Sequence, residues 1–173
     1  GSRSGLDDYI EAQFDAALDW SAVGWLASLT RLPLILKGIQ HPEDGRRAVD
    51  AGARGVVVSN HGGRQLDGAD ATARILPDVV ASVEGRLPVL VDGGIRRGSD
   101  VARALALGAR GVLVGRPWLW GLAAAGTRGV AHVVDTLDAQ LARTLALLGA
   151  RTPGELGPDV LAPLPGVSYL PPG

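Results

Sequence analysis

A histidine and an arginine, three residues apart, follow a short valine-rich segment. The segment 55–58 reads Gly-Val-Val-Val and is followed by Ser59, Asn60, His61, two glycines and Arg64. A β-branched run of this length is typical of a strand buried on both faces, and α/β proteins place reactive groups after the carboxyl ends of such strands. His61 could transfer a proton near neutral pH, and Arg64 could bind a carboxylate through two parallel hydrogen bonds. The alternative is a solvated loop with incidental charges.

A single lysine ends another apolar run. Lys37 follows the run 32–36 and is the only lysine of the chain. The other basic residues are sixteen arginines and three histidines. Lysine offers a compact ammonium, whereas arginine offers a planar fork. The use of lysine at this one position predicts that the function of the strand end requires a compact ammonium. The alternative is chance, with the ammonium reaching into solvent.

Two turns rich in glycine and arginine complete the set of candidate functional residues. One comprises Asp92, Gly93, Gly94, Ile95 and Arg96, and the other comprises Gly115 and Arg116. Glycines let backbone N–H groups approach an anion closely, and an adjacent arginine can bind its oxygens. Both turns are therefore candidate phosphate cradles, although Gly-Gly and Gly-Arg also occur in ordinary loops.

The elements that must position these residues alternate along the chain. Strand-like runs are predicted at 32–37, 55–59, 88–92 and 111–114. Helical patterns are predicted at 43–51, at 70–83 with a break near Pro77, and at 99–107 with Ser99 as the capping residue. Strands that alternate with helices of this length predict βαβ units, an α/β fold and a parallel sheet.

An internal repeat refines the fold prediction. Residues 43–58 resemble residues 99–114, and the offset of 56 residues (99 minus 43) corresponds to two βα units. This period favours a (β/α)₈ TIM barrel over a doubly wound sheet. Only four units fit, so we expect half a barrel, strands 5–8. In a barrel all strand ends open on one face, which predicts that the candidate residues converge there.

The chain is predicted to form one domain, 1–173. A loop and helices occupy 1–31, the four βα units occupy 32–126, an amphipathic helix occupies 127–150, and an irregular proline-rich tail occupies 151–173. Outside the candidate site, His41 is predicted to cap a helix or to lie at the surface, His132 to lie on a polar helix face, and Trp118 and Trp120 to pack near the barrel rim.

Composition excludes several classes of function. The formal net charge is −1 and no block of like charge occurs, so neither a nucleic-acid partner nor a membrane segment is predicted. Cysteine is absent, which excludes disulfides and cysteine-based metal sites and is compatible with the cytoplasmic location that we expect. No His, Asp or Glu cluster has the spacing of metal ligands. The chain lacks methionine and starts with glycine, so we expect a processed piece or a fragment of a longer product.

The motifs together resemble those of the FMN-dependent 2-hydroxy acid oxidases and dehydrogenases, which include glycolate, lactate and mandelate oxidising enzymes. The resemblance runs from about residue 15 to about residue 149. It is carried by Leu-Lys-Gly at 36–38, Ser-Asn-His-Gly-Gly-Arg-Gln-Leu-Asp at 59–67, Asp-Gly-Gly-Ile-Arg-Arg-Gly at 92–98, and Ala-Leu-Ala-Leu-Gly-Ala-Arg at 104–110 continuing to Gly-Arg-Pro at 115–117.

The resemblance implies FMN as the cofactor and a small 2-hydroxy acid as the substrate. It implies that Lys37 lies beside the flavin N1–C2 carbonyl, that Ser59 contacts FMN, that His61 is the base and that Arg64 binds the substrate carboxylate. The remaining members of the set would hold the ribityl chain and phosphate: Asp92, Gly93, Gly94, Ile95, Arg96, Gly115 and Arg116. The electron acceptor, oxygen or a quinone, is not defined by these motifs.

The chain also departs from the family. Family members are about twice as long, and their first four strands supply tyrosines at the substrate carboxylate and an aspartate paired with the histidine, which match no residue here. The resemblance therefore implies two partners, the N-terminal half-barrel and further copies in a homo-oligomer. One alternative stays open: an inactive half barrel that binds FMN or phosphate or serves as an assembly fragment. A barrel with other chemistry, such as an isomerase, is a third possibility, but His61 with Arg64 argues against it, because a carboxylate clamp beside a base suits a 2-hydroxy acid.

Overall fold

The computed structural model describes residues 17–162, together with Gly5, Tyr9, Ala12, Gln13 and Asp15. Four strands and five helices alternate through this part of the chain. In order they are α1 (Ser21–Leu29), β1 (Ile35–Ile39), α2 (Pro42–Asp50), β2 (Gly55–Val58), α3 (Thr72–Ser82), β3 (Val89–Val91), α4 (Gly98–Ala106), β4 (Gly111–Val112) and α5 (Arg116–Leu148). Short 3₁₀ turns occur at His61–Gly63, Pro153–Glu155 and Pro158–Val160.

The four strands form one parallel sheet whose spatial order is the chain order, β1-β2-β3-β4. Each strand is followed by a helix, as parallel pairing requires. The predicted α/β class with βαβ units is confirmed.

One face of the sheet is covered by helices. The core cluster combines Val56, Val58, Val89 and Val91 from the strands with helical residues such as Leu76. Side chains alternate between the faces of a strand, so every second strand residue points into this core. We call this side the helix-covered face.

The opposite face carries the other set of strand residues, and we call it the inner face. Register places Lys37 beside Val57, and Val57 beside Leu90, so these residues share that face. On this face Val57 is 3% exposed, whereas Ile35 and Leu113 are 51% and 38% exposed. Apolar side chains left open in this way are typical of a surface that another element covers.

The start of α2 is fixed by local side chains. His41 Nδ1 accepts a hydrogen bond of 3.2 Å from the Glu43 N–H, which confirms its predicted role as a cap. The hydrogen bond from Arg46 lowers the pKa of Glu43, and the positive charge of Arg46 acts in the same direction. An acidic residue in the first turn also complements the helix dipole.

The last helix folds back on itself. Backbone angles at Ala125 and Gly126 are non-helical and divide α5 into two segments. The segments cross where Gly121 meets Gly129: a Cβ at Gly121 would lie 2.5 Å from the Gly129 carbonyl oxygen. Only glycines allow this approach. The apolar face of the second segment packs inward, with Leu145 buried, while His132 is exposed as predicted.

Several predicted details were wrong. Helix α3 runs through Pro77 without a break, because its buried face, including Leu76 and Val79, holds the helix against the sheet despite one lost hydrogen bond. Helix α4 starts at Gly98, and the carboxylate of Asp100, rather than Ser99, accepts hydrogen bonds from the Arg96 and Arg97 N–H groups just before the helix.

Another correction concerns the first strand. Strand β1 begins at Ile35 and continues to Ile39, and a bulge at Gly38 shifts its register with β2 so that Ile39 pairs with Val58. Trp118 and Trp120 are 39% and 56% exposed in this chain, and their predicted packing near the barrel rim stays a prediction. The tail beyond residue 162 lies outside the described residues. No helix in the described part is both long and apolar enough to span a bilayer.

Candidate active site at the carboxyl ends of the strands

Backbone hydrogen bonds hold the strand ends at one level. The Ser59 N–H donates to the Ile39 carbonyl at 3.3 Å, and the Asp92 N–H donates to the Val58 carbonyl at 3.0 Å. The Leu113 N–H continues the ladder to the Val91 carbonyl at 2.9 Å. The residues that follow each strand therefore emerge side by side, as in other parallel sheets.

Lys37 joins the ends of three strands. It is paired with Val57, two residues before Ser59, so its long side chain must extend along the inner face to reach the strand ends. Its Nζ donates to Ser59 Oγ at 2.9 Å and lies 2.8 Å from Asp92 Oδ2. The lysine side chain is 45% exposed and that of Asp92 is 17% exposed. The ammonium is therefore held by two partners and still open to a ligand.

The loop after β2 is shaped by a left-handed backbone. His61 has φ 55°, and the next two residues, Gly62 and Gly63, also have positive φ. A side chain disfavours this conformation, so specific contacts must hold it. The His61 N–H donates to Ser59 Oγ at 3.1 Å, and the Asn60 side-chain amide closes the loop by donating to the Asp70 carbonyl at 3.1 Å.

The loop after β3 turns at two glycines. Gly93 and Gly94 have φ 89° and 78°. A Cβ at Gly93 would lie 3.1 Å from Thr72 Oγ1 and 3.3 Å from Asn60 Oδ1, so the turn is packed against polar atoms. Thr72 Oγ1 also donates to the Asp92 carbonyl at 2.6 Å. The start of α3 thus supports this turn.

Arg116 links the last strand end to the His61 loop. Its Nη2 donates to the Gly62 carbonyl at 3.3 Å, which leaves other N–H groups of the guanidinium for a ligand. Gly115, just before α5, has open space where a Cβ would stand. A helix N-terminus, an arginine and glycine backbone together favour an anion.

These groups share one cleft of about 300 Å³, which we call the central cleft. It brings together ten of the candidate residues named from sequence: Lys37, His61, Arg64, Asp92, Gly93, Gly94, Ile95, Arg96, Gly115 and Arg116. Of these, Ile95 is buried, whereas His61, Arg64 and Arg96 are exposed. Ser59 lies on a neighbouring cleft of about 430 Å³ that shares Lys37 and His61, which we call the side cleft.

Sequence reasoning missed the supporting residues. Thr72 and Asn60 hold the loops that carry Asp92 and His61, and Arg116, itself named from sequence, makes an unpredicted contact with Gly62. Their partners lie between 10 and 54 residues away in the chain, so no local pattern could have shown the contacts. Asn60 alone had a signal, because a polar residue next to Ser59 at a strand end is a candidate by position.

A parallel sheet of βα units in chain order, with charged groups gathered beyond its carboxyl ends, is the arrangement found in part of a (β/α)₈ barrel. The chain belongs to the FMN-dependent dehydrogenase family, whose family model matches residues 1–163. This finding confirms the predicted family and the predicted cofactor, because FMN is the cofactor in the description of the family.

Curated relatives support the assignment. The chain is 55% identical over 147 residues to an L-lactate oxidase of Nostoc sp., covering 85% of this chain and 40% of that protein. It is 54% identical over 153 residues to a peroxisomal (S)-2-hydroxy-acid oxidase of Oryza sativa subsp. japonica, covering 88% of this chain and 42% of that protein. The chain thus spans about two fifths of the length of the curated relatives that it matches.

Solved structures show the same relationship. An (S)-mandelate dehydrogenase, described as a monotopic membrane protein, matches with a TM-score of 0.85 and 46% identity, covering 90% of this chain and 41% of that chain. A mandelate oxidase variant with (S)-mandelic acid matches with a TM-score of 0.77 and 52% identity, covering 79% of this chain and 41% of that chain. The predicted barrel class is confirmed, and the fold is a partial barrel.

The residues of the central cleft fit an FMN molecule. Asp92 Oδ1 in the central cleft and Asn60 Oδ1 in the side cleft are buried and have no hydrogen-bond partner among the described residues, so each can still accept a hydrogen bond. Hydroxyl groups of a ribityl chain could supply such donors. The Gly93 turn, Gly115 and the Arg116 guanidinium provide the donors that a phosphate requires.

Proposed function

We propose that this chain takes part in the FMN-dependent oxidation of a small 2-hydroxy acid to the 2-oxo acid. One observation carries the proposal: an ammonium, an imidazole and a guanidinium, those of Lys37, His61 and Arg64, line the same cleft beside an anion cradle. The names of the matched relatives, oxidases of lactate and of 2-hydroxy acids, support the substrate class.

Each residue has a distinct task in this proposal. Arg64 binds the substrate carboxylate through its planar fork and so orients the α-carbon. His61 removes a proton from the substrate, either from the hydroxyl or from the α-carbon. Lys37 stabilises negative charge that develops near its ammonium. Bound FMN would supply the chemistry that no side chain can, the acceptance of two electrons.

The cofactor would be held by the residues that border these three groups. Ser59 and Lys37 would contact the ring system, and the loop 92–96 would hold the ribityl chain. Gly115 and Arg116 would bind the phosphate, since glycine backbone and a guanidinium favour that group. The positive φ of Gly93 and Gly94 supports this assignment, because it keeps side chains out of the cradle.

The complete active form would also contain the remaining strands of the barrel. Within the described residues β1 is paired only with β2, and β4 only with β3, so two parallel edges are open. The exposed inner face, with Ile35 and Leu113, needs a cover. We propose that an N-terminal half-barrel, in the same polypeptide or as a separate chain, supplies it, and that the completed barrel forms a homo-oligomer in the cytoplasm.

A second candidate function follows from the same open face. A half barrel whose core side meets water could bind FMN or phosphate without turnover, or act as an assembly piece. The exposure of Ile35 and of the β1 and β4 edges favours this reading for the chain taken alone.

One experiment separates the two functions. The chain is purified with and without a first half-barrel from a matched relative, and each sample is mixed anaerobically with glycolate, lactate or mandelate. The first function predicts a yellow protein whose flavin absorbance bleaches with at least one of these acids. A yellow but unbleached protein, or a colourless aggregate in both samples, supports the second.

A further inference from the structure

The hydroxyl of Ser59 has two partners at once. Ser59 is 1% exposed, and its Oγ accepts from Lys37 Nζ at 2.9 Å and from the His61 N–H at 3.1 Å. A serine hydroxyl has two acceptor lone pairs and one proton. Both lone pairs are therefore used inside the protein, and only the O–H proton remains for another partner.

The bond to His61 stabilises an unfavourable backbone. His61 has φ 55°, a region that residues with a Cβ avoid. Its own N–H is bound by Ser59, and the carbonyl of the next residue, Gly62, is bound by Arg116. The imidazole is exposed, so backbone contacts on either side of it decide where it points.

We propose that Ser59 is a positioning residue that couples Lys37 to His61. Its hydroxyl holds the left-handed backbone of His61 and, through the same oxygen, one side of the Lys37 ammonium. His61 and the Lys37 ammonium therefore keep a fixed position relative to each other. The catalytic consequence rests on the proposed function, whereas the structural coupling does not.

The proposal also defines how Ser59 meets a ligand. Because both lone pairs are occupied, Ser59 can contact a cofactor only as a hydrogen-bond donor. A flavin carbonyl oxygen or an unprotonated ring nitrogen would fit, and a ring N–H would not.

The first test measures the coupling without any activity. Ser59→Ala is compared with Ser82→Ala, a matched control, because Ser82 is also buried and its hydroxyl bonds only within α3. Hydrogen exchange of the segment 59–63 is followed in the full chain by mass spectrometry. We expect the His61 amide to exchange at least tenfold faster in Ser59→Ala and at the parent rate in Ser82→Ala.

The second test uses the composition of the chain. Lys37 is its only lysine, so lysine labelled with ¹⁵N at Nζ gives one side-chain ammonium signal. This signal should shift in Ser59→Ala and stay unchanged in Ser82→Ala. Unchanged exchange at His61 together with an unchanged Lys37 signal would overturn the proposal.

Kinetic measurements then distinguish a positioning role of Ser59 from a general loss of structure in the variant. In the completed enzyme Ser59→Ala should lower kcat for flavin reduction about tenfold, with KM nearly constant, since Arg64 is untouched. Equal losses in Ser59→Ala and Ser82→Ala would contradict a positioning role. If His61→Ala retains reduction while the exchange result holds, the proposed function fails and the coupling of Ser59 stands.

Discussion

Nζ of Lys37 and Oδ2 of Asp92 lie 2.8 Å apart, although the two residues stand on β1 and after β3, with β2 between them. The contact crosses the inner face beside the carboxyl end of β2. It places a positive and a negative group side by side in the central cleft. The pair thus joins two of the candidate residues that were named from sequence.

Replacing Asp92 by Asn tests that relationship. The amide keeps the shape of the side chain but removes the charge opposite Lys37. We expect a loss of about 0.5–1 kcal/mol in the free energy of unfolding, because the lysine is nearly half exposed and solvent screens the pair. Chemical denaturation measures the change. Glu43→Gln, which removes an exposed pair with Arg46, is the control and should change less. A larger loss in the control would contradict the importance of the Lys37–Asp92 pair.

His61→Ala should leave FMN binding intact and nearly abolish flavin reduction in the completed enzyme. Loss of a general base lowers such rates roughly 10²- to 10⁴-fold. Anaerobic stopped-flow absorbance measures the reduction, and the flavin content of the purified protein measures binding. His132→Ala, on an exposed helix face, should behave like the parent. Reduction at the parent rate in His61→Ala would remove this histidine as the base.

Arg64→Lys should raise KM for the 2-hydroxy acid about tenfold or more, with a smaller change in flavin content. Lysine keeps the positive charge but cannot form the two parallel hydrogen bonds of a guanidinium with a carboxylate. A loss of about 1.4 kcal/mol in binding free energy corresponds to a tenfold loss of affinity. Steady-state kinetics give the KM. Arg128→Lys, an exposed position on α5, serves as the control. The same KM in Arg64→Lys and in the parent would contradict a carboxylate clamp.

Gly93→Ala should weaken FMN binding and destabilise the fold by about 1–3 kcal/mol. The φ of 89° strains any residue with a Cβ, and the added atom would meet Thr72 Oγ1 at 3.1 Å. Thermal unfolding and FMN titration by fluorescence measure the two effects. Gly24→Ala in α1, where a Cβ meets open space, should be neutral or slightly stabilising. Equal stability of the two variants would show that the turn tolerates a side chain.

Local sequence was sufficient for the order of the elements. The alternation of β-branched runs with helical patterns, and the repeat of 43–58 at 99–114, predicted the parallel sheet, and the observed strands fall within or close to the predicted runs. Details that depend on packing were missed. Pro77 stays inside α3 because the buried face of the helix outweighs one lost hydrogen bond, and Asp100 rather than Ser99 satisfies the amides at the start of α4.

By itself the sequence determined which chemical groups are present and at which strand ends they stand, because the periodicity of side chains and the glycine turns are local properties. It determined Lys37, His61, Arg64 and the glycine turns in this way. Only the tertiary structure decided which groups meet. The contacts of Lys37 with Asp92 and Ser59, and the bond from Arg116 to Gly62, join residues that are far apart in the chain and are brought together by parallel strand pairing and loop closure. The His61 N–H bond to Ser59 spans only two residues, but it depends on the left-handed backbone of His61.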